Sequence, residues 1–231
     1  MAAEHIALLP GMLCDERLWG PQLGAFNVPS SVADFQTQTS IAAMAATVLQ
    51  TAPARFAVAG LSMGGIVAFE VWRQAPERIS HMALLDTNPY PEAPERRALR
   101  LRDIETVLTD GLRELAVESM KPAYLAAANR HDDALLGLVL DMALDLGADV
   151  FQRQALALTQ RVDSVPTLAT INCPVHVICG AEDTLCPVDY HTTMAEAIPN
   201  AGLTVLDGCG HLSTLEKPRE VTAALNALFA H

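Results

Sequence analysis

Residues 56–65 read FAVAGLSMGG, and how this stretch folds decides the architecture of the chain. The apolar run from Phe56 reads as a buried strand, and GGIVAFEVWRQ from Gly64 has helical spacing. A strand that passes straight into a helix through Gly-x-Ser-x-Gly must turn sharply. Side chains two residues to either side of the serine would collide with neighbouring backbone, so Gly60 and Gly64 are required. Gly65 allows the helix to lie close to the sheet. Ser62 is left projecting from the turn.

Outward from this point, short apolar runs bounded by turn residues recur: HIALLP from His5, SVADF from Ser31, HMALLD from His81, PVHVICG from Pro174 and LTVLDG from Leu203. With RFAVAG they give about six strands. Helical segments such as IAAMAATVLQ from Ile41 alternate with the early ones, which predicts an α/β protein with a mostly parallel sheet flanked by helices. A spatial order 2-1-3-4-5-6 would make strands one and three neighbours and open a crevice where their outgoing loops diverge. Residues 90–166 break the alternation. PERRALRLRDIETVLTDGLRELAVESM, DDALLGLVLDMALDL and DVFQRQALALTQRV have helical spacing, with prolines 89, 91 and 94 at the entrance and Pro166 at the return. The expected organisation is a core of residues 1–89 and 167–231 with a helical insertion at 90–166, whose charges read as solvated helix faces.

Composition narrows the function. The 231 residues are 51% hydrophobic, which suits a sheet buried on both faces. The net charge of -12 disfavours nucleic acid and anionic membrane surfaces as partners. No apolar run reaches the roughly 18 residues of a membrane span, and MAAEHIALLPG lacks the basic start of a secretory signal, so a cytoplasmic protein is expected. Five cysteines without C-x-x-C spacing read as thiols. Cys14, Cys186, Cys209 and His211 could be gathered around zinc only from separate loops, so no metal is expected.

Two phosphate-binding readings of the glycines fail on their letters. A P-loop needs lysine where Ile66 stands, and a dinucleotide loop needs glycine where Ser62 stands. GCGHLS at Gly208 has Ser213 at the last glycine position and lies too near the C-terminus for another strand-helix-strand unit.

A serine hydroxyl becomes nucleophilic only when a base takes its proton, and the base needs an acid to fix its tautomer. Of seven histidines, His5 and His176 read as strand residues, while His81, His131, His191 and His231 read as lying at helix ends, in helices or at the terminus. His211 is the candidate base, in DGCGHLSTLEKP after the last strand, where Gly208 and Gly210 free the backbone. Asp183 in CGAEDTLCP is the favoured acid, with Asp86 in LLDTNP and Glu182 as rivals. An oxyanion would need backbone N–H donors. Met63, next to the serine, offers one, and Met12 in LLPGMLCDERLW offers the other.

GLSMGG, GAEDTLCP and GCGHLSTLEKP, in this order, resemble the motifs of the α/β-hydrolase superfamily, and of its small cofactor-free serine esterases in particular. The resemblance covers nearly the whole chain. It implies catalysis by Ser62, Asp183 and His211, no cofactor, and a lid at residues 90–166. Two features depart from the family: Pro10-Gly11 replaces the usual His-Gly of the oxyanion loop, and the chain begins at what resembles the family's third strand. Serine at the turn argues against relatives that carry aspartate or cysteine there. The expectation is hydrolysis of a small, largely apolar carboxylic ester in a greasy pocket, with Leu13 and Leu212 as candidate pocket residues beside Met12 and Met63. A thioesterase, an acyltransferase or a carbon-carbon hydrolase could use the same residues, and a non-catalytic ligand receptor could use the same scaffold.

Overall fold

A computed structural model describes residues 2–117 and 124–230. The last residues of the expected helical stretch, 118–120, and His231 lie outside the described residues. Six strands, β1 Ile6–Leu9, β2 Ser30–Val32, β3 Phe56–Leu61, β4 Ile79–Leu85, β5 Val175–Gly180 and β6 Ala201–Leu206, form one sheet in the order β2-β1-β3-β4-β5-β6. Every neighbouring pair is parallel.

The two-residue period of the strands sorts their side chains into two cores. Ala7, Leu9, Phe56, Val58, Met82 and Leu84 face α1 (Ile41–Thr51) and α2 (Met63–Gln74). Ile6, Leu8, Ala57, Ala59, Ala83 and Leu85 face Leu18, Trp19 and the apolar side of the C-terminal helix, Pro218–Phe229. The chain leaving β1 therefore covers one face of the sheet and the chain leaving β3 covers the other. Between the carboxyl ends of these neighbours lies the divergence at which α/β sheets open a crevice.

Between β4 and β5 the described residues form no strand. They form α3 (Pro94–Asp110), a helical turn at Leu112–Leu115, a further turn at Ala127–Asn129, α4 (Asp133–Thr159) and a last helical turn at Val165–Leu168. Gly147, at φ 82° and ψ 175°, interrupts α4, so the run consists of two helices, as the two separate helical patterns of the sequence suggest. Ile104, Val107, Leu112, Leu115, Ala143, Phe151 and Ala155 make a third apolar cluster, and Leu13 joins it from the loop after β1. The helices α5 (Val188–Ala197) and α6 (Pro218–Phe229) complete the layers.

Two local expectations are corrected. His81 is a buried residue of β4, with its ring edge-on to Phe229, rather than part of a helix end. β2 stops at Val32 instead of reaching Phe35, because the Phe35 side chain turns into the core and its carbonyl accepts a hydrogen bond from Gln154 of α4.

The glycine cluster works through close backbone approach. A Cβ on Gly64 would run into the Leu9 carbonyl of β1, and one on Gly60 would run into the Gly64 carbonyl. Neither obstacle can move without shifting the sheet. Gly64→Ala is expected to cost about 1–3 kcal/mol or more in urea unfolding. Gly137, inside α4 with open space around its Cα, should respond in the opposite sense, with Gly137→Ala adding up to about 1 kcal/mol.

Candidate active site

Ser62 sits between β3 and α2 with φ 56° and ψ −114°, a left-handed conformation that costs a non-glycine residue about 1–3 kcal/mol. Neighbouring groups hold it there. Its N–H donates to the Leu85 carbonyl at 2.9 Å, and its own carbonyl accepts from the Gly65 N–H and from the Thr87 hydroxyl at 2.7 Å. Thr87 is held in turn: its N–H donates to Nε2 of buried His191 at 3.0 Å. Burial pushes the His191 imidazole down to about 4, so it stays neutral and keeps that nitrogen as an acceptor.

The loops after β5 and β6 deliver the other two groups. Oδ2 of Asp183 lies 2.8 Å from Nδ1 of His211, and Nε2 of His211 lies 2.9 Å from Oγ of Ser62. The carboxylate can only accept, so Nδ1 carries the proton and Nε2 faces the serine hydroxyl as an acceptor. Oδ1 of Asp183 accepts from the N–H groups of Leu185 and Cys186, both at 2.9 Å, which fixes the carboxylate from behind. Burial alone would lower the His211 pKa, but the charge and hydrogen bond of Asp183, with Asp86 and Glu216 nearby, outweigh it and raise the value above the usual 6.5.

The loop that carries His211 is braced at several points. Gly180 and Gly210 admit backbone contacts that a Cβ would block, between the end of β5 and residues 209–210 and between Gly210 and residues 124–126. The His211 N–H donates to the Tyr124 carbonyl at 2.7 Å. Glu216 accepts from the N–H groups of Gly210 and Ala126, and Glu182 accepts from the N–H of Ala127, so Glu182 faces away from the imidazole.

Asp86, the rival acid, has another position. Fully buried at the end of β4, it accepts from the N–H of Gly180 at 3.0 Å and from that of Ser213 at 3.2 Å. It ties the β5 terminus to the residues just past His211. Burial and then the charge of Asp183 push its pKa up to about 8, despite the two donors.

Ser62, Met63, Met12, Leu212 and His211 share the wall of a cavity of about 550 Å³. Leu13 does not. Its backbone, at φ 55°, turns the side chain into the third apolar cluster, and its N–H donates to Oε1 of Gln154 at 2.8 Å. The same Gln154 amide donates to Phe35 O, so one buried side chain on α4 anchors the loops after β1 and β2.

Nor is the wall uniformly greasy. Beside Ile66, Phe151 and Leu158 stand Arg96, Arg100, Arg161, Glu92 and Asp103. Arg96, Arg100 and Asp103 recur at helical spacing on α3, a stripe that can be read in the sequence but was assigned there to solvent.

All five cysteines are buried free thiols. Among the described residues, the metal-binding atom types that gather are those of Asp183, Cys186 and His211, within 4.8 Å of one another. Cys14 and Cys209 are not in that group. Asp183 and His211 already bond each other, and burial raises the Cys186 thiol, which holds it protonated.

Residues 9–225 match the family model described as alpha/beta hydrolase family. The chain belongs to the alpha/beta hydrolase family. Among curated proteins it is 29% identical over 209 residues to BpoC of Mycobacterium tuberculosis, provisionally named a non-heme bromoperoxidase; the match covers 85% of this chain and 76% of the relative. It is 25% identical over 201 residues to a pimeloyl-[acyl-carrier protein] methyl ester esterase of Nitrosomonas europaea, covering 82% and 77%. Among solved structures, a thermophilic esterase from Thermogutta terrifontis with malate bound superposes with a TM-score of 0.87 at 26% identity, over 98% of this chain and 89% of that one. This hydrolase chain therefore shares its layout, over almost its full length, with enzymes of differing names. Among its described residues no helix is long and apolar enough to cross a membrane.

The Asp86 environment has a measurable consequence. Because its folded pKa is raised above the value of about 3.9 in an unfolded chain, the native state binds the extra proton and loses stability as pH rises between the two values. Urea unfolding from pH 4 to 8 should show a shallower decline for Asp86→Asn than for the parent protein.

Proposed function

We propose that this protein is a carboxylic ester hydrolase in which Ser62 is the nucleophile, His211 the general base and acid, and Asp183 the group that orients His211. The observation that carries the reading is the unbroken hydrogen-bond chain from Asp183 through His211 to Ser62, ending on the wall of a cavity that a small ester can enter.

Ser62 Oγ attacks the ester carbonyl carbon while its proton passes to His211 Nε2, and the carbonyl electron pair moves onto oxygen. The N–H groups of Met12 and Met63 receive that oxyanion. Met63 begins α2, where amide donors and the helix dipole both favour negative charge. Collapse expels the alcohol, which takes the proton from His211 and leaves an acyl group on Ser62. A water, deprotonated by His211, then adds to the acyl carbon, and the second collapse returns the proton to Ser62 and frees the carboxylic acid. Residues 90–166 act as the lid, since α3 and α4 supply one side of the cavity and the sheet loops the other. The esterase names of two relatives fit this chemistry. Five reduced thiols suit a reducing compartment, and we place the protein in the cytoplasm.

A serine-directed fluorophosphonate should add its mass to the peptide containing Ser62, and Ser62→Ala should lose about a thousandfold or more in kcat on a cleavable aryl ester. Asp183→Asn should lower kcat by roughly a hundredfold to ten-thousandfold, with Asp86→Asn far less affected. The reverse order would move the acid to Asp86.

Only neutral His211 accepts the serine proton, so kcat/KM should fall as pH drops through the His211 pKa. The midpoint of that limb is expected above 6.5 in the parent protein and lower in Asp183→Asn, which lacks the carboxylate charge.

A further inference from the structure

Acidic residues outnumber Lys and Arg 27 to 15 in this chain, so an unbiased cavity wall would be acidic. The wall beside Ser62 is the opposite: Arg96, Arg100 and Arg161 stand against Glu92 and Asp103. Their pairing leaves a cationic surplus. The Glu92 side chain, 2% exposed, is shared by two guanidinium groups: Oε1 accepts from Arg100 Nε at 3.0 Å, and Oε2 pairs with Arg161 Nη1. Arg161 also donates from Nε to the Tyr90 carbonyl, which makes it a structural clasp between the end of α4 and the entrance to α3.

Arg100 is differently placed. Past its bond to Glu92, its Nη1 faces, among the described residues, only the thioether of Met12, with Sδ at 3.6 Å, and a thioether is a weak acceptor. Met12 follows Gly11, which packs against Leu61 and Ser62. The donor-rich end of Arg100 thus meets Met12, which lines the same cavity as the nucleophile. One turn earlier on α3, Arg96 lines the same cavity and has no ion-pair partner among the described residues. Burial, then the neighbouring charge of Arg96, lowers the Arg100 pKa, so these two cations repel each other along one face of α3.

We propose that the ester cleaved at Ser62 carries a carboxylate, and that Arg100 and Arg96 bind it while the ester carbonyl lies at the oxyanion loop. The inference rests on the hydrolase reading above and adds the substrate class. One surplus positive charge matches a monoanion. A planar carboxylate can take paired N–H donors from one guanidinium, whereas a phosphate dianion would bring a second charge towards Glu92 and Asp103.

The test compares kcat/KM within two matched pairs: para-nitrophenyl hydrogen adipate against the adipamic acid ester, with the charge on the acyl side, and para-carboxyphenyl hexanoate against para-carbamoylphenyl hexanoate, with the charge on the alcohol side. The parent protein is expected to prefer the anion about tenfold or more in one pair, and added salt should reduce that preference. In Arg100→Gln the anionic-to-neutral ratio should fall towards one, with partial recovery in Arg100→Lys. Arg96→Gln, altered at an exposed position, should lower the ratio too. A variant that is merely damaged would lose both members of a pair together and leave the ratio unchanged.

Cleavage of the neutral esters with labelling of Ser62 but no anion preference in either pair would overturn this inference and leave the hydrolase reading standing. So would a preference that survives in both Arg96→Gln and Arg100→Gln. A parent protein that cleaves no ester and is not labelled at Ser62 would overturn both.

Discussion

The left-handed backbone of Ser62 is the constraint on which the site depends. A serine adopts that conformation only where its surroundings over-determine it, and here they do so from several sides. Leu85 accepts its N–H, Thr87 donates to its carbonyl, and Gly60 and Gly64 let β3, β1 and α2 approach more closely than side chains would allow. The strain is therefore held by the sheet itself, and the hydroxyl projects from a rigid support instead of a mobile loop.

Buried polar groups extend that rigidity outward. His191 holds Thr87, Thr87 holds the Ser62 carbonyl, and Asp86 joins the β5 terminus to the residues after His211. Asp86 lies close enough to Asp183 and His211 to feel their charges, yet it spends both oxygens on backbone N–H groups. Its contribution is to fix where the imidazole loop begins and ends. Gln154 performs the same service for the loops after β1 and β2 from the far side of the cavity. Each of these side chains replaces water as the partner of a buried backbone group, which allows irregular loops to meet without orphaned donors.

Much of this was legible in the sequence. The strand-turn-helix at residues 56–74 follows from local pattern, because a run of apolar residues, a glycine turn and helical spacing are properties of neighbours in the chain. Ser62, Asp183 and His211 could be nominated because each stands at the end of a strand, and parallel strands deliver their carboxyl ends to one edge of the sheet. What was missed depends on long-range packing. Leu13 looked like a pocket residue beside Met12, but a single left-handed residue turns it into a separate cluster. The charges of α3 looked solvated, since a helical stripe of charge does not announce whether water or a cavity faces it. Arg96, Arg97 and Arg102 are exposed, but Arg100 is half-buried beside the cavity. His81 was assigned to a helix end although it opens the apolar run HMALLD, and it lies inside β4, which starts two residues earlier.

The proposed chemistry joins two unlike surroundings: a hydrogen-bond relay ending on a carboxylate at one wall of the cavity and a cationic stripe at another. The relay is the central claim, and an acid-quenched reaction tests it most directly. During turnover of a slowly deacylated ester, mass spectrometry of the digested protein should find the acyl group on the peptide that contains Ser62. Acyl mass on a different residue, or turnover by a protein in which Ser62 has been replaced by alanine at the parent's rate, would contradict the account.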